Sequence, residues 1–236
     1  MDRYVFDVDG TLTPSRQKIL PSMEKVFLEF IDEFKVYLVT GSDYVKTVEQ
    51  LGTEIVEKVE KVYNCSGSDV WQNGKNIKKS DWKISSEINM WLDDTLLDSK
   101  YPVRTGNHFE ERPGLVNFSI VGRNANMEQR KDYVKYDKET GERDEIVRKF
   151  NNVFCNVEAS AGGETGIDIH PKGKDKSQII DDFKPNDTIH FFGDRMDKDG
   201  NDYSLSLKAT KNYPVKSWEE TYKIVYDILL FGSGQS

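Results

Sequence analysis

Cysteine is almost absent from this chain of 236 residues, and long apolar runs are missing. Cys65 and Cys155 lie far apart without metal-type spacing, so we expect two cytoplasmic thiols rather than a disulfide framework. Apolar stretches such as residues 228–231 are too short to cross a membrane. The net charge of −8 argues against general binding to nucleic acid or anionic membranes. No N-terminal targeting signal is expected, because a charged motif already occupies residues 7–13.

The first eighty residues alternate short apolar runs with amphipathic segments. Apolar residues recur at helical spacing after Pro21, and again after Asp43 at positions 45, 48 and 51. Asp43 has the side chain of an N-cap. Asn73-Gly74 is typical of a two-residue hairpin. Strands are predicted at residues 4–6 and 36–39, from residue 62, and on both sides of the hairpin turn. This order predicts an α/β fold with a parallel sheet.

The middle of the chain follows a different pattern. Its predicted elements are a helix at 84–97, a strand at 115–121, a helical stretch at 126–151 interrupted at 140–141, and strands at 154–159 and 165–169. Afterwards the earlier rhythm returns, with a helix through Ile179, Ile180 and Phe183, a strand at 188–192 and a helix at 217–230. We therefore expect a Rossmann-like core at residues 1–80 and 172–231, an α+β cap inserted at 81–171, and a flexible tail at 232–236.

Two carboxylates directly follow the first predicted strand. Asp7 and Asp9 stand in the string Asp-Val-Asp-Gly-Thr-Leu-Thr, and Gly10 lets the chain turn away. Ligands of parallel α/β sheets bind at the carboxyl ends of the strands, so both side chains can face one crevice. One carboxylate can attack phosphorus while the other handles the proton. An acidic turn after an edge strand is the alternative. The complete string resembles motif I of the haloacid dehalogenase (HAD)-type phosphotransferases, with Asp7 as nucleophile and Asp9 as acid/base.

Three further segments carry groups suited to phosphoryl transfer. Thr40 and Ser42 end a strand before a helix N-terminus, where hydroxyl and N–H donors suit phosphate oxygens. Lys176 can offset the charge of the phosphoryl group and of Asp7, although a lone lysine is usually a solvated side chain. Asp194 ends a strand and Asp202 follows it by eight residues. Such a pair is often merely structural, but carboxylates suit Mg²⁺.

We expect a magnesium site from these acidic residues. Asp7 and Asp194 are the expected carboxylate ligands, with the carbonyl group of Asp9 and water completing the shell, and Asp202 as the second acid of its motif. In the insert, Arg112, Arg123 and Arg130 bracket one strand and one helix start, and together could bind an anion of phosphate size. The alternative is three independent surface arginines with acidic neighbours such as Glu110 and Glu128.

The insert also resembles a known family. Residues 111–123 with Gln129-Arg130 are similar to the cap pattern E-F-R-N-G-M-x-N-x-S-x-x-G-R…E-x-R of the eukaryotic-type phosphomannomutases. Residues 167–176 look like that family's F-D-V-F-P-x-G-W-D-K, and residues 191–202 match its F-F-G-D-[KR]-x₄-G-N-D at identical spacing. The resemblance extends from residue 4 to about residue 230.

This resemblance implies a magnesium-dependent mutase that interconverts hexose 6-phosphates and 1-phosphates, is primed by a hexose 1,6-bisphosphate, and pairs as a homodimer through its caps. It implies a cytoplasmic enzyme of GDP-mannose biosynthesis acting on mannose phosphates, with glucose phosphates as further substrates. It also implies that Arg16 contacts the substrate, that Arg112, Arg123 and Arg130 hold the distal phosphate, and that Asp168 contacts sugar hydroxyls. The apolar face of the 84–97 helix could contribute to the dimer or could pack inside the cap.

The chain departs from the family pattern at several positions. Gly166 replaces a serine of the distal-phosphate site, Ser66 lies in an altered segment, and Lys174 replaces a tryptophan. Lys208 replaces an acidic ligand of a second, structural cation, so no ion is expected there. A sugar-phosphate phosphatase that uses the same Asp7 and Asp9, and a non-catalytic sugar-phosphate sensor, remain as rival functions.

Overall fold

The computed structural model describes residues 1–198 and 200–232. It divides into two compact units, the first formed by residues 1–79 with those from 175 onwards and the second by residues 80–174. The first unit contains strands β1 (Asp2–Phe6), β2 (Val36–Val39), β3 (Lys61–Asn64), β4 (Asp69–Gln72), β5 (Lys75–Lys79), β10 (Thr188–Gly193) and β11 (Lys211–Pro214), with helices α1 (Pro21–Glu33), α2 (Tyr44–Lys58), α6 (Tyr203–Ser206) and α7 (Trp218–Phe231). The second unit contains β6 (Phe109–Arg112), β7 (Leu115–Phe118), β8 (Val157–Gly162) and β9 (Gly166–Pro171), with α3 (Ser86–Asp98), α4 (Met127–Thr140) and α5 (Glu142–Val153).

The sheet of the first unit has the strand order β11-β10-β1-β2-β3-β4-β5. The first five strands in this order run parallel, and the hairpin strands β4 and β5 add antiparallel pairs at one edge. Asn73 and Gly74 both have positive φ, as the predicted hairpin turn requires. The sheet matches the expected α/β class, since the βα order of the chain makes parallel neighbours.

The central strands are buried because their residues are apolar on both faces of the sheet. Tyr4 and Phe6 pack in edge contacts against Phe30 of α1, and Phe6 stacks on Phe192 of β10. Helix α1 begins with Pro21, at a position where a backbone N–H group would have no hydrogen-bond acceptor within the helix. Burial on both faces holds β1 and β10 side by side, and this pairing positions the candidate site.

Helix α2 places two of its three predicted apolar positions at the core, since Leu51 is buried and Val48 packs against the core cluster. Asp43 is its N-cap as expected, and its side chain accepts a hydrogen bond from the N–H group of Lys46. Val45, predicted to face the core, is 67% exposed, whereas Thr47 and Gln50 are buried. Gly52 interrupts the helix with φ of 81°. Two polar residues of the first half of α2, Thr47 and Gln50, are therefore on its buried side.

The second unit is an antiparallel sheet, in the order β6-β7-β9-β8, covered by helices. Ile88 and Leu92 of α3 lie in its core with Tyr133 and Phe150, so packing within the unit accounts for these apolar residues of α3. The predicted interruption near residue 141 is correct, because Gly141 takes a left-handed conformation between α4 and α5. Strand β6 was not expected, and the strand predicted at 115–121 ends at Phe118.

Further expectations need correction. The segment through Ile179 and Ile180 is a 3₁₀ helix, Lys176–Asp182, rather than an α-helix. Strand β11 and the short helix α6 were not predicted. Gly232 follows α7, and residues 233–236 of the expected tail lie outside the described residues. Within the described part of the chain, no helix combines the length and the apolar character needed to span a membrane.

Candidate active site

Asp7 and Asp194 meet at the carboxyl end of the central sheet. Asp7 directly follows β1 and Asp194 directly follows β10, and the two strands pair in parallel with Phe6 opposite Phe192. The N–H group of Asp7 donates to the carbonyl oxygen of Phe192 at 2.9 Å. Two segments that are far apart in the sequence therefore place their carboxylates at one edge, because they belong to neighbouring parallel strands.

Lys176 links this pair of strand ends to a third carboxylate. Its Nζ donates to Asp7 Oδ1 at 2.6 Å and to Asp202 Oδ1 at 2.7 Å, and the lysine is 1% exposed. Lys176 begins its 3₁₀ helix after Asp175, whose side chain accepts from the N–H group of Ser177. The other oxygen of Asp202 accepts from the N–H group of Arg195 at 3.1 Å. A lone surface lysine is thereby excluded, since Lys176 bridges two buried acids.

Burial and crowding of like charge perturb these groups. Burial raises the pKa of Asp7 to about 8, with Lys176 opposing the shift and the carboxylates of Asp202 and Asp194 adding to it. Burial and the carboxylate of Asp202 raise the pKa of Asp194 to about 6. For Lys176, burial acts to lower the pKa, but the carboxylates of Asp202 and Asp7 outweigh it and the net pKa is raised. Three acids face one ammonium group, which leaves a surplus of negative charge for a cation.

Asp7, Asp194 and Asp202 could hold that cation. One oxygen from each lies within 4.8 Å of the others, the one such group among the described residues. Hard carboxylate oxygens are the donors that Mg²⁺ prefers, so the donor set fits this ion. Gly10 is required by the close packing, because a Cβ atom there would overlap the carboxylate of Asp194. The side chain of Asp9 is not a member of this group.

The carboxylate of Asp9 is held in a separate set of contacts. Its Oδ1 accepts from the N–H group of Arg16 at 2.6 Å and from Nε2 of Gln50 at 2.9 Å. Arg16 has φ of 60°, a conformation that non-glycine residues seldom adopt, and its side chain is exposed. Gln50 was not predicted as a site residue. It is a polar residue beside the apolar positions of α2, so a search for hydrophobic periodicity does not identify it.

Thr40 and Ser42 occupy the end of β2, beside β1. Both are buried, and Thr40 Oγ1 accepts from the N–H group of Ser42 at 3.1 Å. The carbonyl oxygens of Thr40 and Ser42 accept from the N–H groups of Ser66 and Cys65. Cys65 and Cys155 are not joined by a disulfide in the described structure. The hydroxyl pair therefore lies at the same strand-end edge as Asp7.

In the second unit, two of the three predicted arginines share one carboxylate. Arg112 contacts Glu110 Oε1 through Nε at 2.8 Å and Nη2 at 2.7 Å, while Arg123 Nε lies 2.5 Å from Glu110 Oε2. Arg130 is 8% exposed on α4. Its Nη2 atom lies 3.6 Å from Glu164 and has no hydrogen-bond acceptor in the described structure. Glu110 thus joins Arg112 to Arg123, and Arg130 is buried.

Asn117 connects this arginine cluster to Asp168. Its Nδ2 donates to Asp168 Oδ1 at 2.6 Å, and its Oδ1 accepts from Arg123 Nη1 at 3.2 Å. Asn117 and Asp168 face each other across β7 and β9. A Cβ atom at Gly166 would overlap the Asn117 amide, so the asparagine fills the space where a side chain at 166 would begin.

Comparison with known proteins finds a family match and curated relatives. The model of the eukaryotic phosphomannomutase family matches residues 23–231. The phosphomannomutase of Solanum lycopersicum is 35% identical over 229 residues, which cover 93% of this chain and 90% of the relative. The probable phosphomannomutase of Caenorhabditis elegans is 32% identical over 240 residues, which cover 95% and 94%.

Solved structures agree on the fold. A haloacid dehalogenase-like hydrolase from Bacteroides thetaiotaomicron superimposes with a TM-score of 0.60 at 11% identity, over 96% of this chain and 99% of that one. At this identity the likeness concerns the fold alone, which is a HAD-like Rossmannoid core with an inserted α+β unit. The sequence matches extend over nearly the whole chain and nearly the whole of each relative. The chain therefore belongs to the eukaryotic phosphomannomutase family.

Proposed function

We propose that this protein is a phosphomannomutase that interconverts mannose 6-phosphate and mannose 1-phosphate, with glucose phosphates as further substrates. The observation that carries the proposal is the buried Asp7–Lys176–Asp202 ion pair cluster at the strand ends, in a chain that also gathers arginines in its second unit. Asp7 is the nucleophile. A mutase needs one site that transfers a phosphoryl group and another that binds the phosphate at the opposite end of the sugar.

Asp7 and Asp9 perform the chemistry in this proposal. With Asp7 phosphorylated, a hydroxyl group of the hexose monophosphate attacks phosphorus and passes its proton to Asp9. The new P–O bond gives a hexose 1,6-bisphosphate, and the bond from phosphorus to Asp7 breaks. The bisphosphate then presents its other phosphate, which Asp7 attacks while Asp9 returns the proton to the departing sugar oxygen. Lys176 would offset the charge on Asp7, and Thr40 and Ser42 would donate to the phosphoryl oxygens.

Mg²⁺ is the proposed cofactor, with a hexose 1,6-bisphosphate as activator. Asp7 and Asp194 would hold the ion together with the carbonyl group of Asp9, and Asp202 completes the acidic group. The ion supplies positive charge that lets an anionic nucleophile approach an anionic phosphoryl group. Asp202 already accepts hydrogen bonds at both oxygens, so its main contribution is to hold Lys176.

The second unit, residues 80–174, is the proposed specificity cap. Arg112, Arg123 and Arg130 would bind the phosphate that is not being transferred, using planar guanidinium groups that match phosphate oxygens. Asp168 would accept hydrogen bonds from sugar hydroxyls, and the exposed side chain of Arg16 would contact the substrate. The contacts of Arg112 and Arg123 with the single carboxylate of Glu110 support this role.

A sugar-phosphate phosphatase is the second candidate, and Gly166 favours it. No side-chain hydroxyl is available at this position beside Asn117 and Asp168, which weakens the proposed phosphate site. Mannose 1-phosphate, supplied with and without a hexose 1,6-bisphosphate, distinguishes the two functions. A mutase forms mannose 6-phosphate and depends on the bisphosphate. Rapid release of free phosphate without isomerisation would select the phosphatase.

A homodimer formed through the second unit is also proposed, as is a cytoplasmic location in GDP-mannose biosynthesis. Helix α3 leaves Met90 and Leu97 exposed, at 66% and 82%, which supports an apolar contact there. Replacing both residues with glutamate should convert the dimer to monomer in analytical ultracentrifugation. The unmodified protein sedimenting as a monomer at micromolar concentration would contradict the dimer.

A further inference from the structure

Gln50 touches the carboxylate that the proposed function uses for proton transfer. Its Nε2 donates to Asp9 Oδ1 at 2.9 Å, and also lies 3.4 Å from Thr13 Oγ1 and 3.3 Å from the carbonyl oxygen of Gln17. We propose that Gln50 is a positioning residue for the acid/base step: with the N–H group of Arg16 it occupies Oδ1 of Asp9 and leaves Oδ2 to carry the proton. This inference rests on the proposed function, in which Asp9 is the acid/base.

The surroundings of the Gln50 amide determine its orientation. All three neighbours of Nε2 are oxygen atoms within hydrogen-bond distance that can accept from its two N–H groups, and Gln50 is buried. If the amide turned over, its oxygen would face the carboxylate of Asp9 and the carbonyl group of Gln17. The amide therefore presents its N–H₂ group to Asp9.

The second donor to Asp9 is fixed by the backbone. The loop from Thr13 to Ile19 turns at Arg16, whose left-handed conformation directs its N–H group to Asp9 Oδ1 at 2.6 Å. The N–H group of Ile19 in turn donates to the carbonyl oxygen of Gln50, so this loop is tied to α2. Because Oδ1 faces two N–H donors, a hydrogen atom on Oδ1 would oppose both of them. Oδ2 is therefore the oxygen of Asp9 that can exchange a proton with the substrate.

The amide oxygen of Gln50 indicates that this arrangement is kept for function. Oε1 is buried and has no hydrogen-bond partner in the described part of the chain. An unpaired buried amide oxygen destabilises a fold, whereas an apolar side chain of similar length would bring no unpaired polar atom of its own. Sites that violate a stability rule in this way are often functional ones.

Gln50 has its proposed role while the phosphoryl group is transferred between the sugar and Asp7. As Asp7 attacks a hexose 1,6-bisphosphate, an O–P bond to Asp7 forms and the O–P bond to the sugar breaks. The sugar oxygen then takes the proton from Oδ2 of Asp9, which becomes a carboxylate. In the reverse direction, Oδ2 takes the proton of the attacking hydroxyl group. Gln50 holds Asp9 during both steps and touches neither phosphate nor sugar in this scheme.

The leaving group provides the test. In single-turnover rapid quench, a hexose 1,6-bisphosphate transfers a phosphoryl group to Asp7 from a sugar oxygen that needs a proton. With p-nitrophenyl phosphate, the burst of nitrophenolate reports the same transfer from an oxygen that leaves as a stable anion. Gln50→Met and Gln50→Glu, which both lack the amide donor, should slow the first reaction by roughly 10- to 100-fold, part of the usual contribution of a general acid. The second reaction should change by about twofold at most, because it needs no proton.

Thr47→Val is the matched control. Thr47 is a buried polar residue one turn earlier on α2, and its hydroxyl group lies within hydrogen-bond distance of Asn64 Oδ1 and of the carbonyl oxygen of Asp43 rather than of Asp9. Its replacement should not distinguish the two substrates. Equal slowing of both reactions in the Gln50 variants would overturn the proposal and leave only a role in loop structure. An unchanged rate with the bisphosphate would overturn it as well.

Failure of the proposed function gives a different result. If the unmodified protein releases free phosphate from mannose 1-phosphate without isomerisation, the mutase proposal fails. Phosphoryl transfer from mannose 1-phosphate to Asp7 is then compared with transfer from p-nitrophenyl phosphate. The role of Gln50 is still tested, because the sugar oxygen of mannose 1-phosphate also needs a proton.

Discussion

Replacing Lys176 with methionine should strongly destabilise the first unit. The ammonium group lies 2.6 Å from Asp7 and 2.7 Å from Asp202, and all three residues are buried. Methionine has a similar length but no charge, so two buried carboxyl groups lose their common partner. Removing one member of a buried ion pair typically costs about 3–5 kcal/mol, because the remaining charge is desolvated without compensation. We expect a loss of about this size in the free energy of unfolding at pH 7.5, measured without divalent ions.

The loss should also depend on pH in a defined direction. The pKa of Asp7 is about 8 in the folded protein, raised from an ordinary value of 3.8 that applies after unfolding. A carboxyl group whose pKa is raised by folding contributes stability below its unfolded pKa. This contribution is lost progressively as the pH rises from 3.8 to the folded pKa of about 8. Without Lys176 that pKa rises further. The difference in the free energy of unfolding between the unmodified protein and the variant should therefore be constant below pH 8. Above pH 8 it should grow by up to about 1.4 kcal/mol per pH unit.

Urea unfolding followed by circular dichroism, in EDTA from pH 7 to 9.5, measures this deficit. Lys58→Met is the matched control, since Lys58 forms an ion pair with Asp32 at 2.9 Å on the exposed surface. Solvent screens such a pair, so its removal should leave the free energy of unfolding nearly unchanged at every pH. If Lys176→Met behaved like Lys58→Met, or lost the same stability at pH 7 and pH 9.5, the account of the buried cluster would be wrong.

Three other predictions concern the site. Mg²⁺ should raise the melting temperature more at pH 8 than at pH 6, because Asp7 must lose its proton to bind the ion; thermal scans showing no pH dependence would contradict this. Asp7→Asn should abolish phosphoryl transfer, whereas Asp9→Asn should slow sugar-phosphate turnover by roughly 10²–10⁴, and a near-normal rate for Asp7→Asn would remove the covalent mechanism. Arg123→Ala should lower kcat/KM for mannose 1-phosphate by roughly 10- to 150-fold, the value of one charge-assisted contact, with only partial recovery in Arg123→Lys. Hydrolysis of p-nitrophenyl phosphate by these arginine variants should stay normal, and equal damage to both reactions would refute the distal-phosphate role.

The fold and the acidic site could be predicted because local sequence determines both. An apolar run followed by a charged turn places Asp7 and Asp194 just beyond strand ends, wherever the strands come to lie. Neighbouring parallel strands then bring the two side chains together. The contacts of Lys176 were less predictable, since a single lysine carries no periodic signal. Its positive charge suggested that it could offset Asp7, but gave no indication of its contact with Asp202.

Gln50 shows where hydrophobic periodicity stops being informative. The pattern of α2 favoured Val45 for the core, yet Val45 is exposed and Gln50 is buried. The first half of α2 faces Asp9, Asn64 and the backbone of the loop at 14–19, where hydrogen-bond partners rather than apolar surface decide which side chain is buried. Those partners come from segments distant in sequence, so no pattern within the helix could have identified them.

Glu110 changes how the arginines of the insert should be interpreted. Their acidic neighbours were the reason to regard them as ordinary surface residues, because a nearby carboxylate can accept the hydrogen bonds of a guanidinium group without any ligand. In the structure the same carboxylate reaches both Arg112 and Arg123, on two different segments. Two guanidinium groups repel each other, and an anion between them lowers the cost of holding them close. A glutamate beside clustered arginines therefore does not argue against an anion site, because it is one way for a fold to assemble such a site before the ligand arrives.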